Sequence, residues 1–321
     1  MSTYQTIDCL IPCYNEETCI PSLLDELDLA IVKLRQEIKL PLKIGIVIVN
    51  DGSRDSTATT AANELQTHDC FTGKVIVNLS RNFGKEAALL AGLRCCDSDA
   101  CIILDADLQD PPILMIEMVN LWLKGYKVVN AVRNDRTDDN PMKRLSAKGF
   151  YWLFDRSSHL RVQFNSSDFR LLDRAAINAI LSCNESIRFS KGFFAWVGFD
   201  QANIYFKRPK RQGGETKWGG WKLWNYALDG IFSFSTAPLR VWSYLGIFVT
   251  LTAFSLGVVA SIRTLFLGID VPGYASLFTA VTFLGGLQLI GIGILGEYIG
   301  RIYIETKQRP QYVISGITRL E

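Results

Sequence analysis

The stretch ACIILDADLQDPP, Ala100–Pro112, decides how this chain is read. Its first half is a short continuous apolar run, the pattern of a strand buried on both faces. Its second half breaks that pattern at once. Asp105 and Asp107 stand two residues apart where the strand ends, and Pro111-Pro112 imposes a turn before the next apolar segment. Two carboxylates so placed can converge on one hard divalent cation. Mg2+ and Mn2+ take oxygen ligands of this kind and share them with substrate phosphates. Asp-x-Asp alone is a common string, and the strand before it and the turn after it give it weight. Asp110 fits a helix-capping role better than either of the other two.

The same alternation extends outward on both sides. TIDCLIP (Thr6–Pro12) reads as a buried strand, and Asn15-Glu16-Glu17 opens a helix with apolar Ile20, Leu23, Leu24 and Leu27. Ile44–Val49 is a second strand, closed by the turn Asn50-Asp51-Gly52-Ser53, with another helix starting at Asp55. Val75–Leu79 and Lys127–Val132 continue the series. Apolar strands separated by helices predict an α/β class with a mostly parallel sheet covered on both faces. Ligands in such sheets sit beyond the carboxyl ends of the strands, where every motif here falls. Asp51 can accept a hydrogen bond from a nucleobase edge, and Pro12–Glu16 can line the same pocket; as a plain βα turn, Asn50–Asp55 needs no ligand at all.

Composition bounds the rest. The chain has 321 residues, 48% hydrophobic and 21% charged, with a net charge of +2, which excludes the large clustered excess of a nucleic-acid binder. The basic residues that do cluster, Lys207, Arg208, Lys210, Arg211, Lys217 and Lys222, suit lipid headgroups or a diphosphate. Eight cysteines without a CxxC pair, and only His68 and His159 beside them, give no zinc pattern. MSTYQTIDC has neither a basic stretch nor a long apolar run, so no signal peptide is expected and the thiols are expected reduced in a cytoplasmic domain.

Past Arg240 the charges nearly vanish. The 22 residues between Arg240 and Arg263, and the 26 between Asp270 and Glu297, are uncharged, and about 20 apolar residues cross a hydrocarbon core roughly 30 Å thick. Arg240, Arg301, Lys307 and Arg309 on the outer flanks predict both termini in the cytoplasm. Gly296 and Gly300 have the spacing of a close helix contact, within the chain or, the favoured reading, in a homo-oligomer. Pro141–Phe154 and Trp218–Phe234 mix Trp, Phe, Lys and Arg as helices lying in a headgroup plane do.

Five motifs in order, LIPCYNEE (Leu10–Glu17), VNDGSRDST (Val49–Thr57), SRNFGK (Ser80–Lys85), DADLQDP (Asp105–Pro111) and DFRL (Asp168–Leu171), resemble inverting glycosyltransferases of family 2 with a GT-A fold. With two C-terminal spans the chain is similar to bacterial polyisoprenyl-phosphate glycosyltransferases, relatives of bactoprenol glucosyltransferases and dolichyl-phosphate mannose synthase. The resemblance implies that Pro12, Tyr14, Glu16, Asp51 and Gln109 contact a nucleotide-sugar, with Asp105 and Asp107 as the Mg2+ or Mn2+ and diphosphate motif. It places Asp168 and Arg170 between donor and acceptor, Arg133, Arg144 and Ser146 at the lipid phosphate, and Arg211 and Lys217 in a basic loop over the diphosphate. It implies residues 1–210 as the GT-A domain with an interfacial segment near 141–154. Residues 211–240 become a basic loop and interfacial helix, 241–300 two transmembrane helices, and 301–321 a cytoplasmic tail. The expected partners are a nucleotide-sugar, polyprenyl phosphate and the plasma-membrane bilayer. A processive polysaccharide synthase would carry a QxxRW motif, absent here. A silent nucleotide-sugar-binding scaffold would not need the acidic pair.

Overall fold

Continuous apolar runs become the central strands. In the computed structural model, which describes residues 5–133, 166–183, 185, 190–206, 236–267 and 273–320, β1 (Gln5–Cys13), β2 (Leu42–Asn50), β3 (Gly73–Leu79) and β4 (Ala100–Ile103) are parallel, ordered β4-β1-β2-β3. β5 (Val128–Arg133), β6 (Ser166–Asp173), β7 (Gln201–Phe206) and β8 (Ile314–Leu320) complete an eight-stranded sheet, β7-β5-β6-β4-β1-β2-β3-β8. β6 runs antiparallel to β4 and β5, and β8 antiparallel to β3. The parallel centre is as the sequence predicts, and the two reversed strands make the sheet mixed.

Side-chain alternation on β1 sorts the helices onto two faces. Ile7, Cys9 and Ile11 pack under α1 (Ile20–Glu37), α2 (Thr57–Thr67) and α4 (Met115–Leu123). Leu10 points the other way, under α3 (Lys85–Cys95), α5 (Arg174–Ser182) and α6 (Ser190–Trp196). α1 buries Ile20, Leu23, Leu24, Leu27, Ile31 and Leu34, the three-and-four spacing of one helical face. α3 is buried from Ala87 through Leu93, a run of alanine, leucine and glycine with no polar side chain. A Cβ on Gly92 would fall 2.1 Å from Leu10 Cδ1, so that glycine sets how closely α3 lies on the sheet. Asp173 caps α5 by accepting the Ala175 amide at 3.0 Å, and also takes the Trp122 indole N–H at 2.8 Å and Lys127 Nζ at 3.1 Å.

Two long helices follow, α7 (Ala237–Leu267) and α8 (Tyr274–Thr306). Both are long and apolar enough to cross a membrane, over Val241–Val259 and Ala280–Thr306, and almost none of either stretch is buried within the chain. They are therefore not core helices of the globular domain, and Phe248, Leu251, Phe254, Leu289 and Ile292 stand exposed. The two helices meet where Trp242 lies over Gly291, whose Cβ would stand 2.1 Å from the indole nitrogen. Gly296 and Gly300 face open space among the described residues.

The segment expected to be a tail is in part a strand. α8 runs to Thr306 and the chain then returns to the sheet, with Val313 O accepting the Ser80 amide at 2.9 Å and Ser315 Oγ donating to Asn78 O at 3.0 Å. Because β8 belongs to the same sheet as β1–β7, the α7–α8 pair leaves the domain and comes back to it. The sequence signal for β8 is faint because an edge strand with mostly exposed residues needs no apolar run.

Candidate functional site

The strand order reverses between β1 and β4, and the loops after these two strands flank the resulting crevice. The β1 loop is locked to the β2 loop by reciprocal bonds. Asn15, at φ +53°, donates its amide to Ser53 Oγ at 3.0 Å and accepts the Arg54 amide on Oδ1 at 2.9 Å. The Glu16 amide reaches Thr57 Oγ1 at 2.9 Å, and Glu17 accepts the Ser56 amide at 2.9 Å. Pro12, Tyr14 and Glu16 are half-buried along this wall, where the sequence reading puts a nucleoside. Asn15 in the left-handed region and this many side chain-to-backbone bonds hold the wall in one shape before any ligand arrives.

Asp51 is buried, and both of its oxygens are engaged. Oδ1 accepts the Phe83 amide at 2.7 Å and Oδ2 the Gly84 amide at 2.9 Å. The residue read as a nucleobase acceptor thus ties the β2 loop to the Ser80–Gly84 loop ahead of α3. Burial pushes its carboxyl above the ordinary value, against the two amides and Arg81. Gly52, at φ +61°, permits the approach: a Cβ there would stand 2.3 Å from the Arg81 carbonyl carbon.

The acidic cluster follows from sheet register. Ile103 lies opposite Arg170 across the antiparallel β4–β6 pair, and two further steps place Asp105 opposite Asp168. On its other side β6 bulges. Asn130 faces Arg170 and Val132 faces Ser166, so Ser167, Asp168 and Phe169 together oppose the single residue Ala131. Such bulges re-aim side chains beside active sites. Here the bulge and the register bring Asp168 and Asp105 to one ammonium. Lys85 Nζ lies 2.5 Å from Asp168 Oδ2 and 2.6 and 2.8 Å from the two oxygens of Asp105.

Lys85 joins this cluster although the sequence reading, which noted its motif, assigned it no role. The available signal was electrostatic. Lysine opening a helix faces the positive end of the helix dipole and calls for an acid nearby. Burial alone would lower its pKa, but the Asp168 and Asp105 charges outweigh burial and hold it well above the ordinary value. Burial pushes Asp105 up, Lys85 opposes this, and the Asp168 and Asp107 charges add to the rise.

Asp107 is exposed at the crevice, beside the Tyr14–Cys19 loop: the Cys19 thiol is raised first by burial, then by Glu16, with Asp107 contributing. Its Oδ1 accepts the Gln109 amide at 3.2 Å, its Oδ2 accepts the Gln109 side-chain amide, and Leu108 between them is held at φ +55°. Asp110 is buried and pairs with Arg133 at 3.5 Å, across from the Pro-Pro turn to the end of β5. Arg133 therefore stands against the acidic loop. Arg170 is 2% exposed, with its guanidinium 3.8 Å from the Phe194 ring centroid and donating to Ser167 O at 2.9 Å. It braces the bulge that presents Asp168. Arg144, Ser146, Arg211, Lys217 and the stretches 141–154 and 218–234 lie outside the described residues.

Among the described residues no three His, Cys, Asp or Glu side chains form a metal cage. Asp105 and Asp107 still fit Mg2+ or Mn2+ bound through two carboxylates and completed by substrate phosphates, the usual manner of Mg2+ sites.

A loop wall facing an acidic pair across the switch-point crevice puts the candidate ligand site of this α/β domain at the carboxyl ends of its strands. The glycosyl transferase family 2 model matches residues 8–181, and the GtrB C-terminal hairpin model matches residues 237–302. The chain is 47% identical over 317 residues to an uncharacterized glycosyltransferase of Synechocystis, covering 97% of this chain and 95% of that protein. It is 44% identical over 308 residues to the bactoprenol glucosyl transferase of Shigella phage SfV, covering 96% and 97% respectively. It is 42% identical over 313 residues to a prophage bactoprenol glucosyl transferase homolog of Escherichia coli K12, covering 98% and 99%. The chain belongs to glycosyltransferase family 2, and its catalytic domain has the GT-A fold.

Proposed function

We propose that the chain transfers a hexose, with UDP-glucose the first candidate donor, to polyprenyl (undecaprenyl) phosphate with inversion, at the cytoplasmic face of the plasma membrane. The carrying observation is the convergence of Asp105 and Asp168 on Lys85 at the strand-end crevice of a sheet that β8 joins directly to the helical hairpin. That connection keeps donor chemistry close to the end of a membrane-length helix, where a lipid-borne acceptor resides. Relatives named as bactoprenol glucosyl transferases over almost their whole length support the acceptor and the sugar.

The chemistry asks more of charge placement than of a base. A phosphomonoester acceptor is already largely dianionic near neutral pH, its second pKa being about 6. The donor diphosphate repels it. The loop wall around Pro12, Tyr14 and Glu16 would fix the nucleoside, and Asp51 would act by shaping that wall. Asp105 and Asp107 would hold Mg2+ or Mn2+, which when bound supplies charge to the departing nucleoside diphosphate. Arg133 would meet the acceptor phosphate, with Arg144, Ser146, Arg211 and Lys217 contributing from the rest of the chain. Asp168, ion-paired to Lys85, would orient donor and acceptor for in-line attack on the anomeric carbon.

Purified protein incubated with polyprenyl phosphate, Mg2+ or Mn2+, and a panel of UDP- and GDP-sugars tests this reading. Glycolipid should form with UDP-glucose and be lost in Asp107→Ala. No glycolipid with any donor overturns the reading, and product with a GDP-sugar alone overturns the choice of donor.

A further inference from the structure

Lys85 Nζ reaches both oxygens of Asp105, at 2.6 and 2.8 Å, and so straddles the carboxylate. It also holds Asp168 at 2.5 Å. A divalent ion of the Mg2+ class binds a carboxylate oxygen at about 2.1 Å, and on that edge of Asp105 it would stand against the ammonium. The two cations contend for one set of oxygens. The charges agree: Asp105 and Asp168 meet on Lys85, and the Asp107 charge adds to that of Asp168 in raising the Asp105 carboxyl. The lysine is tethered at the first residue of α3, and its side chain is 38% exposed, which leaves it room to move off Asp105 while keeping Asp168.

We propose that Lys85 is a positioning residue that acts as a built-in placeholder for the divalent cation. It holds Asp105 when no metal is bound, yields that carboxylate when metal and nucleotide enter together, and keeps its ion pair with Asp168. Metal alone then binds weakly, because it must displace the lysine without the phosphate oxygens that complete its shell. Metal with nucleotide binds well, and the same exchange fixes Asp168 where the acceptor arrives. This rests on the proposed use of Asp105 as a metal ligand.

The test is a Mn2+ titration of full-length protein in detergent without nucleotide, reading free Mn2+ by electron paramagnetic resonance. Removing an ammonium in direct contact with a ligand carboxylate should tighten Mn2+ binding by at least about tenfold in Lys85→Met and Lys85→Gln. Lys85→Arg, which keeps the charge, should bind as weakly as the wild type. Arg81→Met removes a cation from the same loop without touching Asp105 and should stay within about twofold of wild type. Mn2+ binding that is unchanged or weaker in both neutral Lys85 variants overturns the proposal. Equal tightening in Arg81→Met also overturns it, by reducing the effect to a general field. Asp105→Asn in the Lys85→Met background should abolish the tight site. If that double variant still binds, the metal reading of Asp105 fails, whereas an Asp105-dependent site indifferent to Lys85 refutes only the placeholder.

Discussion

Replacing Asp51 with asparagine tests whether a carboxylate builds the nucleotide side of the crevice. The wild-type side chain is 3% exposed and offers one oxygen to the Phe83 amide at 2.7 Å and the other to the Gly84 amide at 2.9 Å. Asparagine keeps one acceptor and turns an NH2 toward the second amide, so one buried N–H is left facing a donor. A hydrogen bond to a charged group contributes about 1.5–3 kcal/mol, and an orphaned buried donor costs about 1–3 kcal/mol. Removing a buried charge offsets part of this, so about 2–3 kcal/mol of destabilisation is expected. For a domain of roughly 200 residues, 1 kcal/mol corresponds to about 2–4 °C in Tm, so the midpoint should fall by about 4–12 °C. Thermal unfolding of the purified protein followed by tryptophan fluorescence reads the shift. Because the Ser80–Gly84 loop leads directly into Lys85, KM for the nucleotide-sugar should rise in the same variant. An Asp51→Asn protein with wild-type Tm and wild-type KM would refute the view that this carboxylate organises the loop.

Three other perturbations probe separate features. Gly52→Ala should lower Tm by at least about 5 °C, because the new Cβ meets the Arg81 backbone at φ +61° and no rotamer change relieves it; an unchanged Tm would mean the two loops do not press together. Burial raises the Asp173 carboxyl, but Trp122, Ala175 and Lys127 outweigh it and hold its pKa below the ordinary value. Its contribution is therefore complete above an ordinary pKa of about 3.9 and is lost as pH falls through the lower folded value; Asp173→Asn should flatten that acid limb in Tm measured from pH 6 to pH 2, about the range over which such a carboxylate titrates. Gly291→Leu should force α7 and α8 apart at Trp242 and lower Tm, whereas Gly293→Leu, facing open space, should not; equal effects would contradict the crossing point.

The parallel centre of the sheet was legible because strands buried on both faces must be apolar throughout, as Ile44–Val49 is. β7 and β8 were not, because at a sheet edge QANIYF and ISGITRL need bury few side chains, and their polar residues hide the period. The residue types of the site were legible, and their relations were not. Asp105 and Asp107 could be located by the end of an apolar run, but the meeting of Asp105 with Asp168 depends on β4–β6 register and a bulge, neither of which is written locally. Asp51 and Asp110 were read from their turns as a base acceptor and a cap. The turns do not show the partners that bury them, backbone amides more than 30 positions away for Asp51 and Arg133 for Asp110. Local chemistry marks a carboxylate as useful, and only long-range packing decides for what.

Ser315 meets Asn78 across a sequence separation of 237 residues, so β3 acquires its outer neighbour only after nearly the whole chain has been synthesised. Until then β3 is an open strand edge, able to pair with another chain. The missing strand lies beyond both long helices, so a nascent chain that stalls between them emerges with its catalytic sheet incomplete. The edge itself thus distinguishes a finished product from an abortive one, and quality control that recognises exposed strands would find its target on the abortive chain.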